Sequence, residues 1–288
     1  MKILILGGSG MVGHRLIKNL KGKYEVCSIL RQKKELELTD FFQNILEKDR
    51  CIFIDDINQY NKLSDVIEKI SPNVLINCIG VIKQRGDAKN IINMININAL
   101  LPHVLHEICL KNKIKLIQLS TDCVFSGNKG NYKESDIPDP IDKYGESKLL
   151  GEIVKGDALT IRTSFIGHEL FNKKSLLEWI KSQKGGEIDG FENAIFSGLT
   201  TDAFANVIEQ IIDKHQYLNG VWQISSNPIS KFDLIELINK IFKLSIKINR
   251  NSSFQCDRSL NSSKFKNKTN IMISSWEEMI KDLYAGKN

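Results

Sequence analysis

Short continuous apolar runs alternate along this chain with longer stretches whose apolar positions recur every three to four residues. The first run, Ile3–Leu6, stops at glycine and predicts a buried parallel strand over residues 2–6. Past Gly7–Gly13 the pattern becomes amphipathic, predicting a helix to about Leu20. Tyr24–Leu30, Cys51–Asp55, Val74–Cys78, Lys115–Leu119 and Ala158–Arg162 read as five further strands. Lys62–Ile70 and Ile91–Asn112 between them read as helices. The second carries a stripe at Ile97, Leu100, Leu101, Val104, Leu105 and Ile108, with Pro102 predicted to break or kink it near its start. This alternation predicts an α/β fold with a doubly wound parallel sheet. Such sheets bind ligands at the carboxyl ends of their strands. Gly7, Arg31, Asp56, Gly80 and Ser120-Thr121 are therefore expected along one edge.

Beyond Arg162 the pattern loosens. Ser175–Ser182, Thr200–Asp213, Lys231–Phe242 and Trp276–Tyr284 predict helices, and Glu187-Ile188 and Val221–Ser225 short strands. Gly185-Gly186, Asp189-Gly190 and Asn249–Ser253 read as turns. The expected division is a nucleotide-binding part, residues 1–163 with 198–218 returning to it, and a smaller interleaved lobe, 164–288, over the crevice.

Composition narrows the function classes. The 288 residues are 42% hydrophobic and 26% charged, ordinary for a globular protein. No apolar run approaches the roughly 18 residues of a membrane span, and the N-terminal run is too short for a signal peptide. Cysteines 27, 51, 78, 109, 123 and 256 show no C-x-x-C and no metal-ligand spacing. They read as reduced thiols in a cytosolic protein, and no metal site is expected. The net charge of +6 is spread along the chain without interleaved aromatics, which argues against a nucleic-acid partner. It is compatible with a solvated basic surface or with an anionic small substrate. The oligomeric state is not fixed by the sequence, and a homodimer is among the states admitted.

Gly7-Gly8-Ser9-Gly10-Met11-Val12-Gly13 joins the first strand to the first helix with the spacing G-x-x-G-x-x-G. Strand, glycine turn and helix in that order are the Rossmann-type context in which backbone approaches a dinucleotide pyrophosphate at a helix N-terminus. Arg31, followed by Lys33 and Lys34, ends the second strand where an acidic residue would take ribose hydroxyls. Basic side chains there suit a 2′-phosphate, so NADP is the expected cofactor, with NADPH favoured over NADH.

Tyr144 and Lys148 lie four residues apart in a helical pattern, so both fall on one face. A phenol with an ammonium one turn away is an acid/base unit, in which the positive charge is expected to lower the tyrosine pKa.

With Leu119-Ser120-Thr121-Asp122-Cys123-Val124-Phe125-Ser126-Gly127 and Tyr144-Gly145-Glu146-Ser147-Lys148-Leu149-Leu150-Gly151-Glu152, the chain resembles the extended short-chain dehydrogenase/reductases. Within them it is most similar to the dTDP-4-dehydrorhamnose reductase group. Its patterns S-T-D-x-V-F-x-G and Y-G-x-[ST]-K-L-x-G-E are met almost residue for residue. Ile161–Phe165 resembles the R-T-S-W segment, and Leu260–Phe265 the C-terminal L-D-x-x-K-[LF] segment. The resemblance implies an NADPH-dependent reductase of a nucleotide-linked 4-keto-6-deoxysugar, serving surface polysaccharide precursor synthesis. It implies Thr121, Tyr144 and Lys148 as catalytic residues. Tyr144 would protonate the ketone oxygen, Lys148 would bond the nicotinamide ribose, and Thr121 would hold the carbonyl. Gly7, Ser9, Gly10, Met11, Val12, Gly13, Arg31, Asp56, Ile57, Cys78, Ile79 and Gly80 would join Tyr144 and Lys148 in holding the cofactor. Thr121, Cys123, Phe165 and Arg258 would face the nucleotide sugar. Asn98 stands where the resemblance places a structural asparagine, or is a helix-interior residue bonding nearby backbone.

Departures fall toward the substrate side. Asn77-Cys78-Ile79-Gly80 replaces Asn-Ala-Ala-Ala, Phe165 replaces Trp, Asn261 replaces Asp, and Arg258 stands where that pattern has Ser. Cys123 replaces Tyr or a similar residue, two positions after Thr121, as in combined sugar-nucleotide epimerase/reductases. Three alternatives follow: that bifunctional enzyme, an epimerase or 4,6-dehydratase, and a non-catalytic NADP-binding regulatory subunit like that of methionine adenosyltransferase. A dehydratase would place Asp-Glu after the threonine, and the glutamate is absent. The intact Thr121, Tyr144 and Lys148 argue against a purely regulatory role.

Overall fold

Alternate residues of β1 (Lys2–Leu6) enter opposite cores: Ile3 and Ile5 join one apolar cluster, Leu4 and Leu6 the other. A strand buried on both faces needs neighbours on both edges and helices on both sides. The computed structural model describes residues 1–31, 46, 50–82, 90–171 and 173–286. In it, β1 pairs in parallel with β2 (Glu25–Leu30) and β4 (Val74–Asn77). β3 (Cys51–Phe53), β5 (Lys115–Leu119), β6 (Ala158–Arg162) and β10 (Gly220–Gln223) complete a parallel seven-stranded sheet, ordered β10-β6-β5-β4-β1-β2-β3. The order reverses beside β1, so the strand ends open a crevice there.

Helix α1 (Gly13–Leu20) covers one face; Arg15 on it and Lys23 in the turn after it tie this segment to α7 (Thr201–Lys214) by ion pairs to Asp202 and Asp213. On the other face lie α2 (Tyr60–Ile70) and the run from Ile91 to Asn112. That run is not one regular helix. A single turn of α-helix, α3 (Ile91–Met94), passes into a π-helical stretch over Ile95–Leu100 before α4 (Leu101–Asn112). Pro102 sits at the start of α4, where its missing N–H is tolerated. The irregularity falls on the π stretch before it, where the Leu101 N–H reaches back five residues to the Asn96 carbonyl.

Two expected turns are strand instead. β8 (Glu187–Phe196) runs through Asp189-Gly190, and β12 (Lys247–Asp257) runs through Asn249–Ser253. They pair in parallel in a three-stranded sheet with β11 (Ile229–Ser230), with a register shift between Asn251 and Gln255, while the short β7 (Phe165–Ile166) and β9 (Leu199–Thr200) form a two-stranded parallel pair of their own. Gly190 marks a close approach rather than a turn: a Cβ there would lie 2.8 Å from the Phe232 ring and 3.0 Å from Ile248. Phe232 belongs to α8 (Lys231–Phe242), which packs on this sheet. The remaining helices are α5 (Lys143–Leu150), which carries Tyr144 and Lys148, α6 (Leu176–Ser182), α9 (Ser263–Thr269) and α10 (Trp276–Ala285).

Candidate active site

The glycine turn is built by exclusion of side chains. Gly7 has φ +80, the left-handed region, and its carbonyl accepts from the Gly10 N–H at 3.0 Å. A Cβ on Gly13 would sit 2.2 Å from that carbonyl oxygen, so α1 can start this close to β1 only with glycine there. No side chain caps the N-terminus of α1. Buried His14 fastens the turn from inside, its Nδ1–H donating to the Gly10 carbonyl at 2.8 Å. Burial pulls its pKa down to about 4.

Beside this turn lies a cleft of about 400 Å³. Gly7, Ser9 and Gly10 line it after β1, Arg31 after β2, Asp56 and Ile57 after β3, and Cys78, Ile79 and Gly80 after β4. Met11, Val12 and Gly13 do not line it; Val12 and Gly13 are buried behind the turn. Lys33 and Lys34 lie outside the described residues. Asn58, Val81, Asn93 and Ile97 also line the cleft and were not picked out from the sequence. Side-chain amides hold the far wall. Asn77 Oδ1 accepts from the Ile79 N–H at 3.1 Å, and Asn77 Nδ2 donates to Gln118 at 2.8 Å. Asn98 does the structural work: its amide exchanges two 2.9 Å bonds with the Val81 backbone and donates to Ser147 Oγ at 3.1 Å.

Asp142 caps α5, accepting from the Gly145 N–H at 2.9 Å, and so sets the start of the helix one residue before Tyr144. Glycine at 145 and 151 lets the helix sit against its neighbours; a Cβ would lie 2.2 Å from the Cys123 carbonyl and 2.0 Å from the Asn98 carbonyl respectively. Tyr144 is thereby brought to Thr121, with the two hydroxyls hydrogen-bonded. Lys148 is buried and donates to the Leu119 carbonyl at 2.6 Å. The expected lowering of the Tyr144 pKa is not what the packing gives. Burial raises it, and Cys123 adds to the rise, while the Thr121 bond opposes both. Burial also draws Lys148 down to about 8, against the pull of Glu152 and Cys78. The Cys78 thiol is pushed up to about 12 by burial, which leaves it an unreactive wall.

On the other side of the couple, Cys123 follows Thr121 in a short 3₁₀ turn, Asp122–Val124. Arg258 reaches over it, donating to the Phe125 carbonyl at 2.9 Å and to Cys123 Sγ at 3.7 Å. Lys231 is the residue sequence reasoning missed. Its Nζ lies 3.9 Å from the centre of the Phe196 ring and feels the charges of Asp122, Cys123 and Cys256. Burial lowers its pKa to about 8. Phe165 packs edge-on to Phe204, ring centres 4.8 Å apart. His168 is held between Glu178 at 3.3 Å and the Leu283 carbonyl at 3.2 Å, bonds that serve packing of α6 and α10. No cluster of metal-ligating side chains occurs among the described residues, and no helix among them is long and apolar enough to cross a membrane.

A glycine-turn cleft at the carboxyl edge of a parallel sheet, with a Tyr-x-x-x-Lys helix and a threonine at its end, defines an extended short-chain dehydrogenase/reductase. The chain belongs to the RmlD substrate binding domain family, whose profile matches residues 1–287. It is 26% identical over 244 residues to the dTDP-4-dehydrorhamnose reductase of Aggregatibacter actinomycetemcomitans, a match spanning 81% of this chain and 76% of that one. A hypothetical dTDP-4-dehydrorhamnose reductase from Sulfolobus tokodaii superposes with TM-score 0.78 at 26% identity, covering 96% of this chain and 98% of that one. A dTDP-4-dehydrorhamnose reductase from Bacillus anthracis, solved in complex with NADP, superposes with TM-score 0.80 at 21% identity over 100% and 99% of the two chains.

Proposed function

We propose that the protein is an NADPH-dependent reductase of a nucleotide-linked 4-keto-6-deoxysugar, acting in the cytosol on a precursor of surface polysaccharide. The observation that carries this reading is the Thr121–Tyr144 hydroxyl pair with Lys148 close behind Cys78, a residue that lines the glycine-turn cleft.

The residues present fit the cofactor. The side-chain-free turn and the uncapped start of α1 suit a pyrophosphate, and Arg31 on the exposed rim suits a 2′-phosphate. NADPH, when bound, supplies the hydride. Tyr144 gives its proton to the carbonyl oxygen as negative charge develops there, and burial keeps the phenol protonated until then. Thr121 holds the same oxygen with its hydroxyl. Lys148 would bond the nicotinamide ribose, and its ammonium would stabilise the phenolate left behind. Cys123 and Phe165 shape the sugar pocket. Arg258 and Lys231 present two cations that make no direct ion pair among the described residues, with Asp122 acting on both from further off, which suits the phosphates of a nucleotide sugar. Residues 1–163 with 198–218 serve the cofactor, and 164–288 the sugar.

The test is a panel of nucleotide-linked 4-keto-6-deoxysugars with NADPH, followed by loss of nicotinamide absorbance. Turnover with at least one is expected. No turnover with any, in protein shown to bind NADPH, would sink the reductase reading.

A further inference from the structure

Three consecutive residues at the end of β5 are each held by the face of α5 and its continuation. The Leu119 carbonyl accepts from Lys148 at 2.6 Å, the Thr121 hydroxyl meets Tyr144, and the Ser120 hydroxyl between them donates to Glu152 Oε1 at 2.7 Å. Tyr144, Lys148 and Glu152 are spaced four residues apart, one stripe down the helix and its last turn. The sequence marked the first two and left the third without a role.

Glu152 is in turn gripped from β6. Arg162 Nε donates to Oε1 at 2.8 Å and its NH2 donates to Oε2 at 2.7 Å, a two-pronged pair with side chains 5% and 1% exposed. Among the described residues Arg162 meets no second carboxylate and its remaining nitrogen, NH1, no acceptor; its guanidinium lies 5.2 Å from the centre of the Phe125 ring. Without Glu152, a full positive charge would be left buried and unpaired at the end of β6, and Lys148 would lose its one neighbouring carboxylate. The other charged or titratable groups facing Lys148 are Tyr144 from its own helix and Cys78 from the end of β4. Cys78 carries no charge at neutral pH, so Glu152 is the anion that balances both cations.

We propose that Glu152 is a positioning residue for the catalytic couple: gripped by Arg162, it pins Ser120 beside Thr121 and sets a carboxylate at the Lys148 ammonium. The proposal rests on the reductase reading for what the couple does, but its core is a statement about Lys148 that turnover need not report.

The test is therefore spectroscopic. Protein carrying ¹³Cε-lysine, with the Lys148 signal assigned by its loss in Lys148→Met, is titrated through alkaline pH. Glu152→Gln keeps the shape and removes the charge, and its Lys148 midpoint is expected about one pH unit lower, a roughly tenfold loss of proton affinity. Arg162→Met frees the Glu152 carboxylate from its other partner and is expected to move the midpoint upward. The double variant Glu152→Gln/Arg162→Met follows Glu152→Gln, because the upward move needs the carboxylate. A role in packing alone would move neither midpoint in opposite senses. An unmoved midpoint in Glu152→Gln overturns the proposal, and if that variant does not fold, an unmoved midpoint in Arg162→Met does so instead. Failure of wild-type protein to reduce any keto sugar would count against the reductase reading and leave this titration to decide the role of Glu152.

Discussion

The Asn98 side-chain amide stands 3.1 Å from the Ser147 hydroxyl and 2.9 Å from both backbone groups of Val81. One buried amide thus joins the π stretch, the far wall of the cofactor cleft and the helix that carries Tyr144. Asn98→Ala strands a buried N–H and a buried carbonyl at Val81, at a cost of about 1–3 kcal/mol for each unsatisfied group. The expected result is a lower urea midpoint together with weaker NADPH binding. Loss of stability with unchanged cofactor affinity would show that Asn98 does not shape the cleft.

Tyr144→Phe keeps the ring packing and removes the proton donor. General acid catalysis supplies about 10²–10⁴-fold, and kcat is expected to fall by that factor while NADPH affinity stays near wild type. A folded variant keeping more than a tenth of wild-type kcat would disqualify Tyr144 as the acid.

Arg31 is exposed at the cleft rim, where its guanidinium can reach a cofactor's 2′-phosphate. Arg31→Ala is expected to weaken NADPH by roughly 10–150-fold, the worth of a charge-assisted bond of about 1.5–3 kcal/mol, and to spare NADH. Fluorescence titration with both cofactors checks this. Equal losses would mean that Arg31 acts through the loop instead.

Cys123 separates a simple reductase from a combined epimerase/reductase. Its sulfur faces Arg258, and the one histidine near the lobe's start, His168, is occupied with Glu178 and Leu283. Cys123→Ser is expected to reduce 4-keto sugars at near wild-type rate. Wild-type enzyme in deuterium oxide should place no solvent deuterium at ring carbons 3 or 5. Deuterium at either carbon, lost in the Ser variant, would establish the bifunctional reading.

His14 gives an acid limit to stability. Its folded pKa, about 4, lies below the ordinary 6.5, so folding favours the neutral ring. The stabilisation is whole above pH 6.5 and drains away as pH falls toward 4, by up to about 3 kcal/mol. Glu178, held near 2 mainly by its bonds to His168 and Lys181 against the opposing effect of burial, acts in a separate window below about 4.5. Urea midpoints measured between pH 7 and 4.5 should fall in the wild type and fall less in His14→Leu. Parallel curves would remove His14 from the account.

The central sheet was legible because β1, β2, β4, β5 and β6 are short apolar runs, and a strand buried on both faces has no other pattern to show. β8 was legible only at its start, Glu187-Ile188, and β12 not at all. Their residues are half exposed and polar, and they are strands because they pair with each other across some sixty positions. The Tyr144–Lys148 spacing announced itself. Lys231 could not: a lysine in the first turn of an amphipathic helix reads as solvated, and only packing against Phe196 turns it inward. Glu152 stood in plain view, but its meaning depends on Arg162, which belongs to another strand.

The position of β10 sets an order of events during synthesis. β6 occupies the inside of one sheet edge, and the strand that covers it arrives roughly sixty residues later. At about 5–20 residues per second, that edge stands open on the nascent chain for roughly 3–12 s. It is the stretch that carries Arg162, so the partner of Glu152 waits beside an unpaired backbone for the whole interval. A chaperone that shields strand edges has its natural target there, and a stall before Gly220 would leave the chain at its most prone to aggregate.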